Sequence, residues 1–170
     1  TVTATGNSRV YDGTTNATVN LSDNRIAGDI LNTSYTSASF SDKNVGNSKS
    51  VSLIGIDLTG VDSGNYTFNT TISTTADITP LSITGSVTAQ NKVYDATNTA
   101  TIATRTLTGV LAGDTVNYVG GVATFSDKNA ATGKTVTATG LSLSGTDAGN
   151  YTVNTSATTT ADITPLSITG

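Results

Sequence analysis

The sequence states nearly everything twice. FSDKN at Phe40–Asn44 returns at Phe125–Asn129, GNYT at Gly64–Thr67 returns at Gly149–Thr152, and TTADITPLSITG at Thr74–Gly85 returns at Thr159–Gly170, each 85 positions later. RVYDGTTNAT, from Arg9, is answered by KVYDATNTAT, from Lys92, at an offset of 83. A period of this size is that of a small domain, so each copy must close a core of its own. The repeat predicts one module over 1–80, a second over 81–165, and the start of a following one at 166–170, where PLSITG duplicates Pro80–Gly85. The two-residue slip falls between Thr18 and Gly28 in one copy and Thr101 and Gly113 in the other, and reads as one loop of variable length. The joint, ADITPLSITG, has one proline, β-branched residues on both sides and no Gly/Ser run, which predicts a short stiff connection and modules set in a row as a rod.

Within a copy, apolar residues alternate with Thr and Ser, the usage of half-buried strands. The expected strands of the first copy are Thr1–Thr5, Thr18–Leu21, Ser34–Phe40, Lys49–Leu58, Asn65–Thr71 and Thr74–Ile78, with equivalents in the second. Turn residues separate them at Asp12-Gly13, Asn44–Asn47 and Asp62–Gly64, and again at Gly120-Gly121 and Asp147–Gly149. No segment carries a helical period of useful length. Short strands with turns about every ten residues predict an all-β chain of two tandem small antiparallel β-sandwiches.

Composition removes several classes of function. The chain has no Cys, His, Met, Trp or Glu; its twelve acidic residues are all Asp, its basic residues number eight, and its net charge is −4. Without a basic cluster, no nucleic-acid partner is expected. No apolar run reaches membrane-spanning length and no leader pattern is present, so this stretch is expected neither to cross a bilayer nor to carry its own export signal. The absence of Met makes it read as a section of a longer chain, and the absence of Cys suits an exported protein built without disulfides. General bases near neutral pH are normally His, tuned Glu, Lys or Cys, and the aspartates recur at turn positions in both copies, so no catalytic residues and no enzyme activity are expected.

The motif GVDSGNYTF, with Asp62, Gly64, Tyr66 and Phe68, recurs as GTDAGNYTV, with Asp147, Gly149, Tyr151 and Val153. Its Asp-x-Gly-x-Tyr-x-apolar spacing resembles the tyrosine corner of immunoglobulin-like sandwiches, where the hydroxyl bonds to backbone a few residues upstream. Here Gly64 and Gly149 would take a positive φ, Asp62 and Asp147 would accept main-chain N–H bonds in the bend, and the tyrosine would supply aromatic burial. A calcium loop needs more oxygen ligands than the surroundings of Asp62 or Asp147 offer, so neither a metal nor another cofactor is expected. YDG at Tyr11, Asp12 and Gly13 becomes YDA at Tyr94, Asp95 and Ala96. It reads as a tight turn with the tyrosine packed at one end of the module rather than as a sugar platform, and Ala96 suggests a turn without need of a positive φ. FSDKN pairs Asp42 with Lys43 and Asp127 with Lys128 on a solvated loop, and Lys49 or Lys134 follows. A lysine isopeptide crosslink there would lack its usual Glu catalyst.

The whole ordered set of motifs, a KVYDGTT-like start, GD, an FSDKNVG-like middle, LSGTDAGNY and the ADITP end, resembles the YDG/MBG repeats of large bacterial surface adhesins, including filamentous-haemagglutinin-like secreted proteins. That resemblance implies a structural stalk or filament repeat, exported to the bacterial cell surface, which extends a distal binding region and has neighbouring repeats of its own chain as partners. Two alternatives are an adhesive module whose loops bind a glycan or a host-cell protein with avidity, and a subunit that self-associates into fibres.

Overall fold

The computed structural model describes residues 1–169, and among them the chain is all-β, with no α-helix and two single-turn 3-10 helices. It divides into two compact units, Thr1–Leu81 and a second from Ser82 onward. Pro165–Thr169 carry no strand, and Gly170, the last residue of the expected 166–170 segment, lies outside the described residues.

Unit 1 is built on a four-stranded sheet ordered Arg9–Val10, Thr71–Thr79, Gly46–Ile54, Ser37–Phe40. Two small antiparallel pairs complete it: Val2–Gly6 with Val19–Asp23, and Asn32–Ser34 with Asp57–Thr59. Alternation decides which face is buried. Ala38 and Phe40 on one strand, Val51 and Leu53 on the next and Ala76 and Ile78 on the third all point to one side, none more than 8% exposed. Register stacks them across strands, Ala38 opposite Leu53 and Phe40 opposite Val51. Each large side chain buried in this way contributes about 1.5–3 kcal/mol. The opposing layer comes close: a Cβ at Gly6 would lie 2.6 Å from the Thr75 carbonyl, so only glycine fits there.

Unit 2 repeats the plan with a five-stranded sheet ordered Lys92–Val93, Ser156–Thr164, Ala131–Ser144, Asn117–Phe125, Thr99–Ala100, and a separate pair of Thr84–Ala89 with Ile102–Thr108. Its core, centred on Phe125, Val136, Ala138, Leu141 and Ile163, uses the positions equivalent to those of unit 1.

Four features depart from the sequence reading. The sheets are not purely antiparallel, because Arg9–Val10 and Lys92–Val93 pair in parallel with the last strand of their unit. Asn65–Thr71 is not a strand in unit 1. Tyr66 N–H donates to the Ser63 carbonyl, closing a 3-10 turn over Ser63–Asn65, and the strand begins only at Thr71. Gly120-Gly121 is not a turn between strands but a kink inside Asn117–Phe125, where both residues take positive φ and pairing with Ala131–Ser144 continues on either side. The slip is also not a single loop. In unit 2 the pairing shifts between Thr88 and Ala89 as Ala103 is extruded, so one of the two added residues is a β-bulge.

The first pair of each unit shows a compensated exchange. Val2 is 3% exposed, and its place in unit 2 is taken by Gly85, where a Cβ would meet the Tyr118 ring at 2.3 Å. The small residue makes room for a large one, and the site stays filled.

Candidate functional site

The repeated motifs converge on two clusters in each unit. The first joins the YDG turn to the FSDKN segment. Asp12 accepts the Thr14 N–H and hydroxyl, both at 2.8 Å, and forms an ion pair with Arg9. Arg9 donates to the Thr14 carbonyl and lies over the Phe40 ring, 5.3 Å from its centroid. In unit 2 the same parts are Asp95, Thr97, Lys92 and Phe125, with Lys92 Nζ 2.8 Å from Asp95 and 5.5 Å from the ring. The Lys92 ammonium, then the Thr97 amide, hold the Asp95 carboxyl down at about 2, and the Arg9 guanidinium lowers Asp12 in the same sense. Tyr11 is 2% exposed, its N–H bonded to the Thr79 carbonyl, whereas Tyr94 is half-buried beside Ala130, Pro165, Leu166 and Ile168.

The turn at this cluster corrects the reading of Ala96. Gly13 has φ 77° and Ala96 has φ 66°, so the left-handed conformation is kept although the second copy has no glycine to adopt it. The partners within FSDKN differ too. Asp42 pairs with Lys49 at 2.7 Å and Asp127 with Lys134 at 2.6 Å, whereas Lys43 lies 5.8 Å from the Tyr11 ring centroid. The two paired lysine side chains are only 12% and 8% exposed, so this loop is not simply solvated. The lysine lowers both aspartates, which favours the carboxylate form, and a carboxylate opposes the amide condensation that a crosslink requires.

The second cluster is built around Tyr66 and Tyr151. The Tyr66 hydroxyl donates to Asp29 Oδ2 at 2.5 Å and accepts the Ile26 N–H at 3.0 Å. Tyr151 repeats both bonds with Asp114 at 2.7 Å and Leu111 at 3.1 Å. The hydroxyl therefore ties to the AGD loop some 40 residues upstream, not to nearby backbone. Asp62 and Asp147 reach across in the same direction, accepting the N–H of Ile30 and Thr115 at 2.8 Å, and neither caps its own 3-10 turn with a side-chain bond. Gly64 and Gly149 sit in the 3-10 turns without positive φ. That role belongs to Gly60 and Gly145, at 121° and 120°, where a Cβ would also collide with a carbonyl oxygen at 2.3 Å. Phe68 and Val153 are half-buried.

Three functional positions escaped the sequence reading. Asn69 donates to and accepts from the main chain of Val2, at 3.1 and 3.0 Å, and Asn154 does the same for Gly85 at 3.0 and 2.8 Å. Asp77 and Asp162 accept the N–H of Ser48 and Gly133, both at 2.7 Å. Asp29 and Asp114 receive the tyrosines. All three pairs recur at the repeat interval, so recurrence itself was the available signal.

Chemically these arrangements bind the chain to itself. The motif carboxylates face main-chain amides, hydroxyls or cations of their own unit, and among the described residues no three His, Cys, Asp or Glu side chains gather as a metal site. Among the same residues no helix is long and apolar enough to cross a membrane. No curated protein and no solved structure matches the chain. The profile of the YDG domain does, once over residues 1–76 and again over 74–161.

Proposed function

From the premise that the chain belongs to the YDG domain family, we propose that it is a structural stalk repeat of an exported bacterial surface adhesin. Its two units are small immunoglobulin-like sandwiches set in tandem as an extended rod. They act mechanically, holding a distal binding region away from the cell without catalysis or a cofactor. The observation that carries this reading is the duplicated tie of Tyr66 to Asp29 and Tyr151 to Asp114. The most recognisable motif of each copy is engaged inside its own unit, linking segments far apart in sequence, as a module that must resist extension requires and a ligand site does not.

The test is binding by this 170-residue protein itself. Glycan arrays and host-cell surfaces are expected to give no signal, and saturable binding to either would remove the stalk reading in favour of an adhesive module. One observation favours that second reading. Ile26, Ile30 and Val61 are 70%, 60% and 83% exposed on the loops of unit 1 that the Asp62 and Tyr66 bonds bring together. If they form a docking patch for an apolar protein surface, changing all three to Ser abolishes cell binding while leaving the fold intact.

A further inference from the structure

In each unit the opening segment runs side by side, and in the same direction, with the chain that leads into and through the last strand. In unit 1, Val2 is held by Asn69, Gly6 lies against the Thr75 carbonyl, the Asp77 N–H donates to Ser8 Oγ at 2.9 Å, and Arg9 and Val10 pair with Ile78 and Thr79. Unit 2 repeats the series: Gly85 is held by Asn154, the Asp162 N–H donates to Asn91 Oδ1 at 2.8 Å, and Lys92 and Val93 pair with Ile163 and Thr164. The series closes at Tyr11 and Tyr94, whose N–H groups donate to the Thr79 and Thr164 carbonyls, each at 2.8 Å. Two different residue types, Ser8 and Asn91, supply the acceptor for the same amide, so the link is kept while its chemistry changes. The last strands, Thr71–Thr79 and Ser156–Thr164, are themselves fixed by antiparallel pairing along Gly46–Ile54 and Ala131–Ser144.

Direction decides how such a seam fails. Tension that enters a unit at its first strand and leaves after its last pulls two parallel segments towards opposite ends, so they must slide and every lateral bond is loaded together. Antiparallel neighbours held at adjacent ends are instead peeled apart one bond at a time. Because the rate of forced unfolding is set by the barrier, bonds that must break together raise it more than the same bonds broken in turn. We propose that this parallel seam is the element by which each unit resists extension along the chain, carrying tension in shear. The inference rests on the stalk reading for its purpose, and adds where in the module the tension is held.

Single-molecule stretching of the whole chain tests the proposal, and the absence of cysteine lets a handle be placed at a chosen residue. One handle is fixed at the C-terminal end and the other at Ser82→Cys or at Lys128→Cys, both of which alter exposed side chains. The first placement loads unit 2 along the seam. The second pulls on the turn ahead of Ala131–Ser144, and since Ala131 pairs antiparallel with Ile163, the two strands are peeled from one end. At equal load, unit 2 is expected to unfold about tenfold or more faster in the second placement, the difference between breaking lateral bonds singly and together. Asn91→Ala is expected to speed unfolding about two- to tenfold in the first placement and to leave the second unchanged. Equal rates in the two directions, or an effect of Asn91→Ala that is the same in both, overturns the proposal. The rod is judged separately, by scattering, so either claim can fail alone.

Discussion

Ala96→Gly should make unit 2 more stable, although it removes atoms and no contact improves. Ala96 is held at φ 66° because the Thr97 N–H donates back to Asp95 at 2.9 Å and fixes the turn around it. An L-residue in this region carries roughly 1–2 kcal/mol of steric strain. Glycine relieves the strain but gives the unfolded chain more freedom, which takes back about 0.4–1 kcal/mol. The net gain is about 0.5–1 kcal/mol, or about 2–8 °C in melting temperature for a unit of this size. The exchange is reversed at a second position, where unit 1 carries the strained residue and unit 2 the glycine. Ser48 has φ 49° where its counterpart Gly133 has 62°, so Ser48→Gly should stabilise unit 1 by a similar amount. Native-state hydrogen exchange separates the units within the intact chain. The Tyr94 amide, bonded to the Thr164 carbonyl, reports on unit 2, and the Tyr11 amide, bonded to the Thr79 carbonyl, reports on unit 1. Ala96→Gly should slow the first and leave the second unchanged. Unchanged or faster exchange at Tyr94 would show that this turn carries no backbone strain.

Tyr151→Phe should destabilise unit 2 by about 1.5–3 kcal/mol, the range for a bond to a charged group, and Tyr66→Phe should cost unit 1 less because Tyr66 is less buried; thermal unfolding of both variants compares them. Gly85→Ala should cost unit 2 about 1–3 kcal/mol, since the new Cβ would enter the space of the Tyr118 ring, and a crystal structure should show that ring displaced. Acid should weaken both units within a narrow window. Asp95, held by Lys92 at about 2 against an ordinary 3.8, adds stability that is fully present above pH 4 and lost as pH falls through its folded value; the lowered Asp12, Asp42 and Asp127 act in the same direction. Melting temperatures should therefore hold level from neutrality to about pH 4 and fall towards pH 2, and Lys92→Met should flatten the part of that fall due to Asp95.

The all-β class and most strands were legible because alternation marks a buried face directly. Ala38 and Phe40, Val51 and Leu53, and Ala76 and Ile78 could be read as inward positions from their spacing alone. What escaped was set by partners distant in sequence. Nothing local to Asn65–Thr71 distinguishes a strand from a 3-10 turn followed by irregular chain; the tyrosine bond to Asp29 and the asparagine grip on Val2 fix that path. Arg9–Val10 is too short to show a period, and it becomes a parallel edge strand only because Thr71–Thr79 lies beside it. Gly64 drew attention as the glycine nearest the tyrosine, yet the chain needed a bare Cα at Gly60, against the Ile30 carbonyl. Ala96 misled for an energetic reason: a substitution can keep a strained conformation when a neighbouring Asp side chain holds the turn closed.

The claim that these units serve as stiff mechanical elements is tested most directly by small-angle X-ray scattering of the intact chain in dilute solution. A single globule of this length would have a radius of gyration of about 15–16 Å, and two units of half that length set end to end would exceed about 20 Å. A stiff rod should give the larger value, with a distance distribution that shows two separated maxima and does not change with temperature below unfolding. A radius near the globular value, or the featureless distribution of a freely hinged pair, would contradict the stalk.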